Sequence, residues 1–263
     1  MSNIQKSHVV LVVSFGTSYN KSRERAIDAI EGKIAEECPE SEIRRAFTSR
    51  MIINKLRVQD GIEVDSVEQA MDKLVSEGIS EVTVQPTHII NGIENEEMTE
   101  IVRSYEGKFK SLKIGKPLLS ADKDFRETVN YLSDYVKDIG SVETAVVFMG
   151  HGTEHKINSV YTVLEEKFRY AGFENVFVGT VEAKPNLKEV VLKVKTKGYK
   201  RAVLLPFMIV AGDHAYNDMA GDGEASWKNV FIKEGIEVEC IMKGLGEYPE
   251  IQNIFAEHAK SAE

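Results

Sequence analysis

Short β-branched runs alternate with amphipathic segments along the whole chain. HVVLVVSF (8–15), EIRRAFT (42–48), EVTVQPT (81–87) and LKIGKPLL (112–119) have strand length and strand composition. TAVVFMG (144–150), NVFVGTV (175–181), RAVLLPFMIV (201–210) and EVECIMK (237–243) repeat the pattern in the second half. Between them the period changes to that of a helix. Ile157, Val160, Tyr161, Leu164, Phe168 and Ala171 fall on one helical face. DSVEQAMDKLVSEG (65–78) opens on an Asp cap and ends in Gly78. KPNLKEVVLKVKTKG (184–198) has Pro185 near its first turn and Gly198 at its end. Strands alternating with helices of this length predict α/β architecture with parallel sheets covered on both faces.

The halves also match each other. EGISEVTVQPTHIINGIE (77–94) lies over KGYKRAVLLPFMIVAGDH (197–214) without a gap, placing Pro86 on Pro206, Gly92 on Gly212 and Glu94 on His214. The turns VSFGTS and FMGHGTEH align too, with Phe15 on His151 and Gly16-Thr17 on Gly152-Thr153. The prediction is a duplicated α/β domain, each copy with a four-stranded parallel sheet flanked by helices; two such domains facing each other would put both sets of turns around one cleft. The first copy ends around LLSADKDFRETV, giving domains at 1–122 and 123–263. YPEIQNIFAEHAKSA reads as a last helix, about 248–260, able to pack on either domain.

In parallel α/β folds ligands bind at the carboxyl ends of strands. Glu94, His151, Glu182 and His214 all follow predicted strands, so residues far apart in sequence can converge there. Each has an ordinary reading of its own: a turn histidine, a helix-terminal glutamate, a polar loop. Taken together, His151, Glu182 and His214 make a set of imidazole and carboxylate ligands suited to Co²⁺, Fe²⁺, Ni²⁺ or Zn²⁺. Without a thiolate in the set, the ion is free to leave. A direct His151–His155 chelate ranks below this dispersed site, because Gly152 interrupts the interval. His88 reads first as structural and second as a residue lining the cleft. SFGTS offers a small-residue turn whose backbone N–H groups suit an anion.

Composition narrows the function classes. The 263 residues are 42% hydrophobic and 29% charged, with net charge −9, which argues against a nucleic-acid groove. No apolar run is long enough to span a bilayer, and MSNIQKSHVVLVVSF lacks the layout of a secretory leader, so a cytoplasmic protein is expected. Cys38 and Cys240 form no metal-binding pair. There is no nucleophile elbow, Walker loop or dinucleotide fingerprint. Apolar periodicity does not separate core from interface, so a homo-oligomer stays open.

LVVSFGTS, AFTSRMIINKL, HIINGIE, VVFMGHGTEH, GTVEAKP, MIVAGDHAYNDMAGD and SWKNVF together resemble the anaerobic sirohydrochlorin cobaltochelatases, class II chelatases related in fold to ferrochelatase. The resemblance runs from about residue 8 to about residue 256. It implies two duplicated Rossmann-like domains facing a central cleft that takes a tetrapyrrole, sirohydrochlorin or precorrin-2, with Co²⁺ as the substrate metal; no organic cofactor is implied. It implies a lyase of cobalamin biosynthesis, with metal ligands at His151, Glu182 and His214 and an active-site glutamate at Glu94. Insertion requires the macrocycle to lose pyrrole protons, which an imidazole can accept near neutral pH. His151 is the expected base, His214 and Glu182 the expected holders of the ion, and Glu94 an assistant to proton removal or metal entry. One histidine serving both tasks in sequence is the alternative. Ser14, Phe15, Gly16, Thr17 and His88 are expected to line the macrocycle site. The runners-up are a non-catalytic tetrapyrrole or metal carrier, and a chelatase for Fe²⁺ or Ni²⁺.

Overall fold

The computed structural model describes residues 8–263. The reading of the N-terminus as leaderless falls largely on residues 1–7, outside the described residues. The chain divides into two compact units. One runs through Ser120 and takes in Ile251–Glu263, and the other is Ala121–Glu250.

The first unit holds β1 (His8–Ser14), β2 (Glu42–Phe47), β3 (Asp65–Ser66), β4 (Glu81–Pro86) and β5 (Ser111–Ile114) in the order β3-β2-β1-β4-β5. The second holds β6 (Thr144–Gly150), β7 (Val176–Thr180), β8 (Arg201–Pro206) and β9 (Glu237–Cys240) in the order β7-β6-β8-β9. All strand pairings are parallel. The central strands β1 and β6 are buried almost end to end, because helices cover both faces of a parallel sheet. In the first unit Val9, Leu11 and Val13 pack in one core with Met71, Leu74, Val84 and Val102. In the second, Ala145, Val147 and Met149 meet Val190, Val194, Trp227 and Phe231.

The duplication extends into the backbone hydrogen bonds. Thr87 N donates to Val13 O, and Phe207 N donates to Met149 O, each at 2.8 Å. Ser49 N donates to Phe15 O as Glu182 N donates to His151 O, and Leu118 N to His88 O as Leu245 N to Met208 O. Gly16 and Gly152 take the same left-handed turn, at φ 95° and 87°. A register read from sequence thus holds in three dimensions, with Phe15, Ser49 and Glu94 standing where the other copy has His151, Glu182 and His214.

Several element limits differ from the sequence pattern. The first sheet has a fifth strand, the two-residue β3, whose Asp65 and Ser66 pair with Ala46 and Phe47. Asp65 is therefore strand, and the helix Val67–Ser76 is capped by Ser66, whose hydroxyl accepts from Gln69 N while Gln69 Oε1 accepts from Ser66 N. Asn186 and Glu189 form the same reciprocal cap on helix Leu187–Thr196, so Pro185 precedes that helix rather than opening it. β5 stops before Gly115, where a side chain would strike Gln85. β8 stops at Pro206, and the Met208 and Ile209 carbonyls turn to accept from Leu245 and Gly246.

The last helix, Pro249–Lys260, contributes to the first unit. Ile114 N at the edge of β5 donates to Glu263 O at 3.0 Å, and Lys113 Nζ donates to Ala262 O at 3.2 Å. Lys260 pairs with Glu37 at 3.0 Å. The second unit contains a buried acid, Glu165, which accepts from Val178 N at 2.9 Å, Lys193 Nζ at 2.9 Å and Arg169 at 3.2 Å. It thereby ties helix Val160–Tyr170 to β7. Among the described residues no helix is long and apolar enough to cross a membrane.

Candidate metal centre

β6 ends at Gly150, where any side chain would collide with the Tyr161 ring. His151 follows, and Gly152 turns the chain through positive φ. A Cβ on Gly152 would lie 2.8 Å from Thr180 Cβ and 3.0 Å from Ala183 N, so the segment after β7 passes directly beneath the turn. The two segments are laced together. His151 O accepts from Val181 N at 3.1 Å and from Glu182 N at 2.9 Å. Asn158 bridges them as well, accepting from Thr153 N at 3.0 Å and donating to Lys184 O at 2.5 Å. This backbone lacing brings the Glu182 carboxylate beside the His151 ring, with Oε2 3.7 Å from Nδ1. The helix that follows is capped by Asn186 and Glu189, so Glu182 is not needed to satisfy its N-terminus.

His214 arrives from β8. It stands at the start of a π-helical turn, Ala215–Met219, in which Ala220 N reaches back to Ala215 O at 3.0 Å. Its ring meets that of His151 edge to face, with centroids 4.8 Å apart. One donor atom from each of His151, Glu182 and His214 lies within 4.8 Å of the others. The side chains of the three are 47%, 55% and 31% exposed, so an ion can reach them and leave. Neutral imidazole nitrogen and carboxylate oxygen are the donors that first-row divalent ions of intermediate hardness accept.

The ring partners settle which nitrogen carries the proton. His151 Nδ1 is 2.9 Å from Gly152 O, and His214 Nδ1 is 2.7 Å from Asp218 Oδ2. A carbonyl or a carboxylate only accepts, so each Nδ1 donates and each Nε2 keeps its lone pair. Below the turn, Gly152 N points to the Tyr161 hydroxyl at 3.5 Å. Burial pushes that phenol up to about 12, so it stays protonated.

The other expected site residues, Ser14, Phe15, Gly16, Thr17, His88 and Glu94, belong to the first unit. Ser14 Oγ accepts from Thr87 Oγ1 at 2.8 Å, and Thr17 Oγ1 accepts from Tyr19 N at 3.2 Å, so both hydroxyls brace the turn. The Phe15 ring is 42% exposed. Glu94 is exposed in the first turn of helix Ile93–Arg103. His88 has both ring nitrogens buried without a hydrogen bond, and burial lowers it to about 4, with nearby Asn95 opposing the shift. The remaining histidines have local roles. His155 Nδ1 accepts from Ile157 N at 3.3 Å, His8 bridges Thr83 and Ser41, and His258 meets Lys116 O. Asp218, four residues after His214, is a further residue of the site that the strand-end pattern does not single out.

A family model described as cobalt chelatase (CbiK) matches residues 8–263. The chain belongs to the CbiK family of cobalt chelatases. Sirohydrochlorin cobaltochelatase of Salmonella typhimurium is 40% identical over 96% of this chain and 95% of its own length. Sirohydrochlorin cobaltochelatase CbiKC of Nitratidesulfovibrio vulgaris is 30% identical over 96% and 89%. Among solved structures, SirB from Bacillus subtilis with Fe³⁺ covers 96% of this CbiK-family chain and 94% of its own, at a TM-score of 0.64 and 17% identity. At that identity the likeness establishes the shared chelatase fold.

Proposed function

We propose that this protein inserts Co²⁺ into sirohydrochlorin, or its reduced form precorrin-2, as a step of anaerobic cobalamin biosynthesis. The observation that carries the reading is the His151–Glu182–His214 cluster in a chain of this family. The metal is a substrate, so the site must hold an ion and then surrender it. Two imidazoles and one carboxylate, all partly exposed and without a thiolate, suit that requirement.

His214 and Glu182 hold the incoming ion. His151, whose Nε2 lone pair is left available by the Nδ1 contact to Gly152, accepts pyrrole protons as the ion enters. Glu94 assists proton removal or metal entry from the first unit. Phe15 presents an apolar face to the macrocycle where the duplicated position carries His151. The turn Ser14–Gly16–Thr17 and His88 shape the remainder of that wall.

The test is an anaerobic spectrophotometric assay with sirohydrochlorin in excess, Co²⁺, catalytic enzyme and His151→Ala alongside. Many turnovers by the wild type, lost in the variant, are expected. A stoichiometric spectral change without turnover, alike in both proteins, would make the protein a carrier.

A further inference from the structure

We infer that Asp218 is a positioning residue that fixes the tautomer and orientation of the His214 ring so that its Nε2 serves as a ligand of the incoming ion. The inference rests on the chelatase reading above and adds a residue to it.

The first observation is the ring partner. Asp218 Oδ2 lies 2.7 Å from His214 Nδ1, while the Nδ1 of His151 lies 2.9 Å from the Gly152 carbonyl and 3.7 Å from Glu182 Oε2. Both partners fix the same tautomer. A carboxylate holds the ring more firmly than a carbonyl does, because a charge-assisted hydrogen bond is the stronger one, and an oriented ring is the better ligand.

The second observation comes from the duplicated copy. Glu94 occupies the place of His214 in the first unit, and four residues on stands Met98, buried in the core. In the second unit the buried methionine is Met219, five residues after His214, and Asp218 has the vacated fourth place. The extra residue is accommodated by the π turn Ala215–Met219. One unit of backbone has thus been inserted, so that the core keeps its methionine while a carboxylate stands beneath the imidazole. A carboxylate in the Glu94 position has no tautomer to fix, and the first copy runs there as an ordinary α-helix. π turns of this kind concentrate at functional sites, where they re-aim side chains.

Asp218 is 45% exposed, so its replacement spares the core. Three proteins are compared: wild type, Asp218→Ala and Asp218→Asn. Co²⁺ affinity without tetrapyrrole, measured by calorimetry, should fall about 10- to 100-fold in Asp218→Ala. Asp218→Asn, whose amide oxygen still accepts from Nδ1, should recover part of that loss. In turnover assays the KM for Co²⁺ should rise while the KM for sirohydrochlorin holds. ¹⁵N spectra of the neutral imidazole should show the Nδ1–H form of His214 in wild type and Asp218→Asn, and a tautomer mixture in Asp218→Ala. Co²⁺ affinity within twofold of wild type in Asp218→Ala, or an unaltered His214 tautomer, overturns the inference. A wild type that inserts no cobalt would instead sink the chelatase reading, and the tautomer spectra would still decide the role of Asp218.

Discussion

His151 and His214 stand edge to face, their planes 82° apart and ring centroids 4.8 Å apart, although each is delivered by a different strand. That contact has no packing logic of its own, since both rings are partly exposed and polar. Their donor atoms converge with that of Glu182, and such convergence makes sense for a cation placed among them.

Glu182→Ala and His214→Ala should therefore each lower Co²⁺ affinity by more than the roughly 10- to 100-fold expected of an outer-shell change. Thermal unfolding of the same variants should shift by no more than about 0.5 kcal/mol equivalent, as exposed positions do. Calorimetry and melting curves on one set of samples check both halves. A variant that binds Co²⁺ like wild type is not a ligand.

Gly152 and Gly172 make an internal control. Both have positive φ, but a Cβ on Gly152 would crowd Thr180 whereas one on Gly172 would meet nothing within 4 Å. Gly172→Ala should cost about 1 kcal/mol from backbone strain alone. Gly152→Ala should cost about 1–3 kcal/mol and also displace His151, so activity falls further than stability. Urea midpoints beside turnover numbers distinguish the two glycines.

His88 predicts a pH dependence of folding. Its folded value is lowered by burial to about 4, against about 6.5 in an unfolded chain. Between those values the unfolded state binds the proton and the folded state does not, so acid favours unfolding. The contribution is complete above about pH 6.5, is lost as pH falls toward 4, and changes no further below that. His88→Gln should flatten the slope of urea stability across this window. An unchanged slope would mean that other groups carry it.

Glu165→Ala should destabilise the second unit by about 1–3 kcal/mol, since it leaves the buried Val178 N–H without its acceptor while Lys193 stays solvated. Chemical denaturation measures this directly. Co²⁺ affinity of the folded protein should stay at the wild-type level, because Glu165 touches none of the three candidate ligands.

Phe15→Ala tests the macrocycle wall. Losing one aromatic face costs about 0.5–1.5 kcal/mol, or about two- to tenfold in tetrapyrrole affinity. Fluorescence titration with sirohydrochlorin reads the effect, and equal affinity in the two proteins removes Phe15 from the site.

The strand and helix order was legible because each β-branched run was long enough to give a period. β3 was not, since two residues carry no alternation and pair only through the backbone of Ala46 and Phe47. Ser66 rather than Asp65 caps its helix for a related reason: both residue types cap well, and only the strand pairing decides between them. His151, Glu182 and His214 could be named from their positions after strands, without any knowledge of distances. Asp218 escaped because a π turn is an insertion in backbone geometry that leaves no composition mark. The burial of Glu165 leaves no mark in the helical pattern, because its partners Lys193 and Arg169 come from a separate helix and from the next turn.

The closing helix has a consequence for biogenesis. Residues Ile251–Glu263 complete the unit begun by β1, and Glu263 O receives the Ile114 N–H at the edge of its sheet. A ribosome delivers those residues after the whole of the second unit. During synthesis the second unit, contiguous from Ala121 to Glu250, has all its parts while the first still lacks its final helix. The half that emerges first is the half that finishes second.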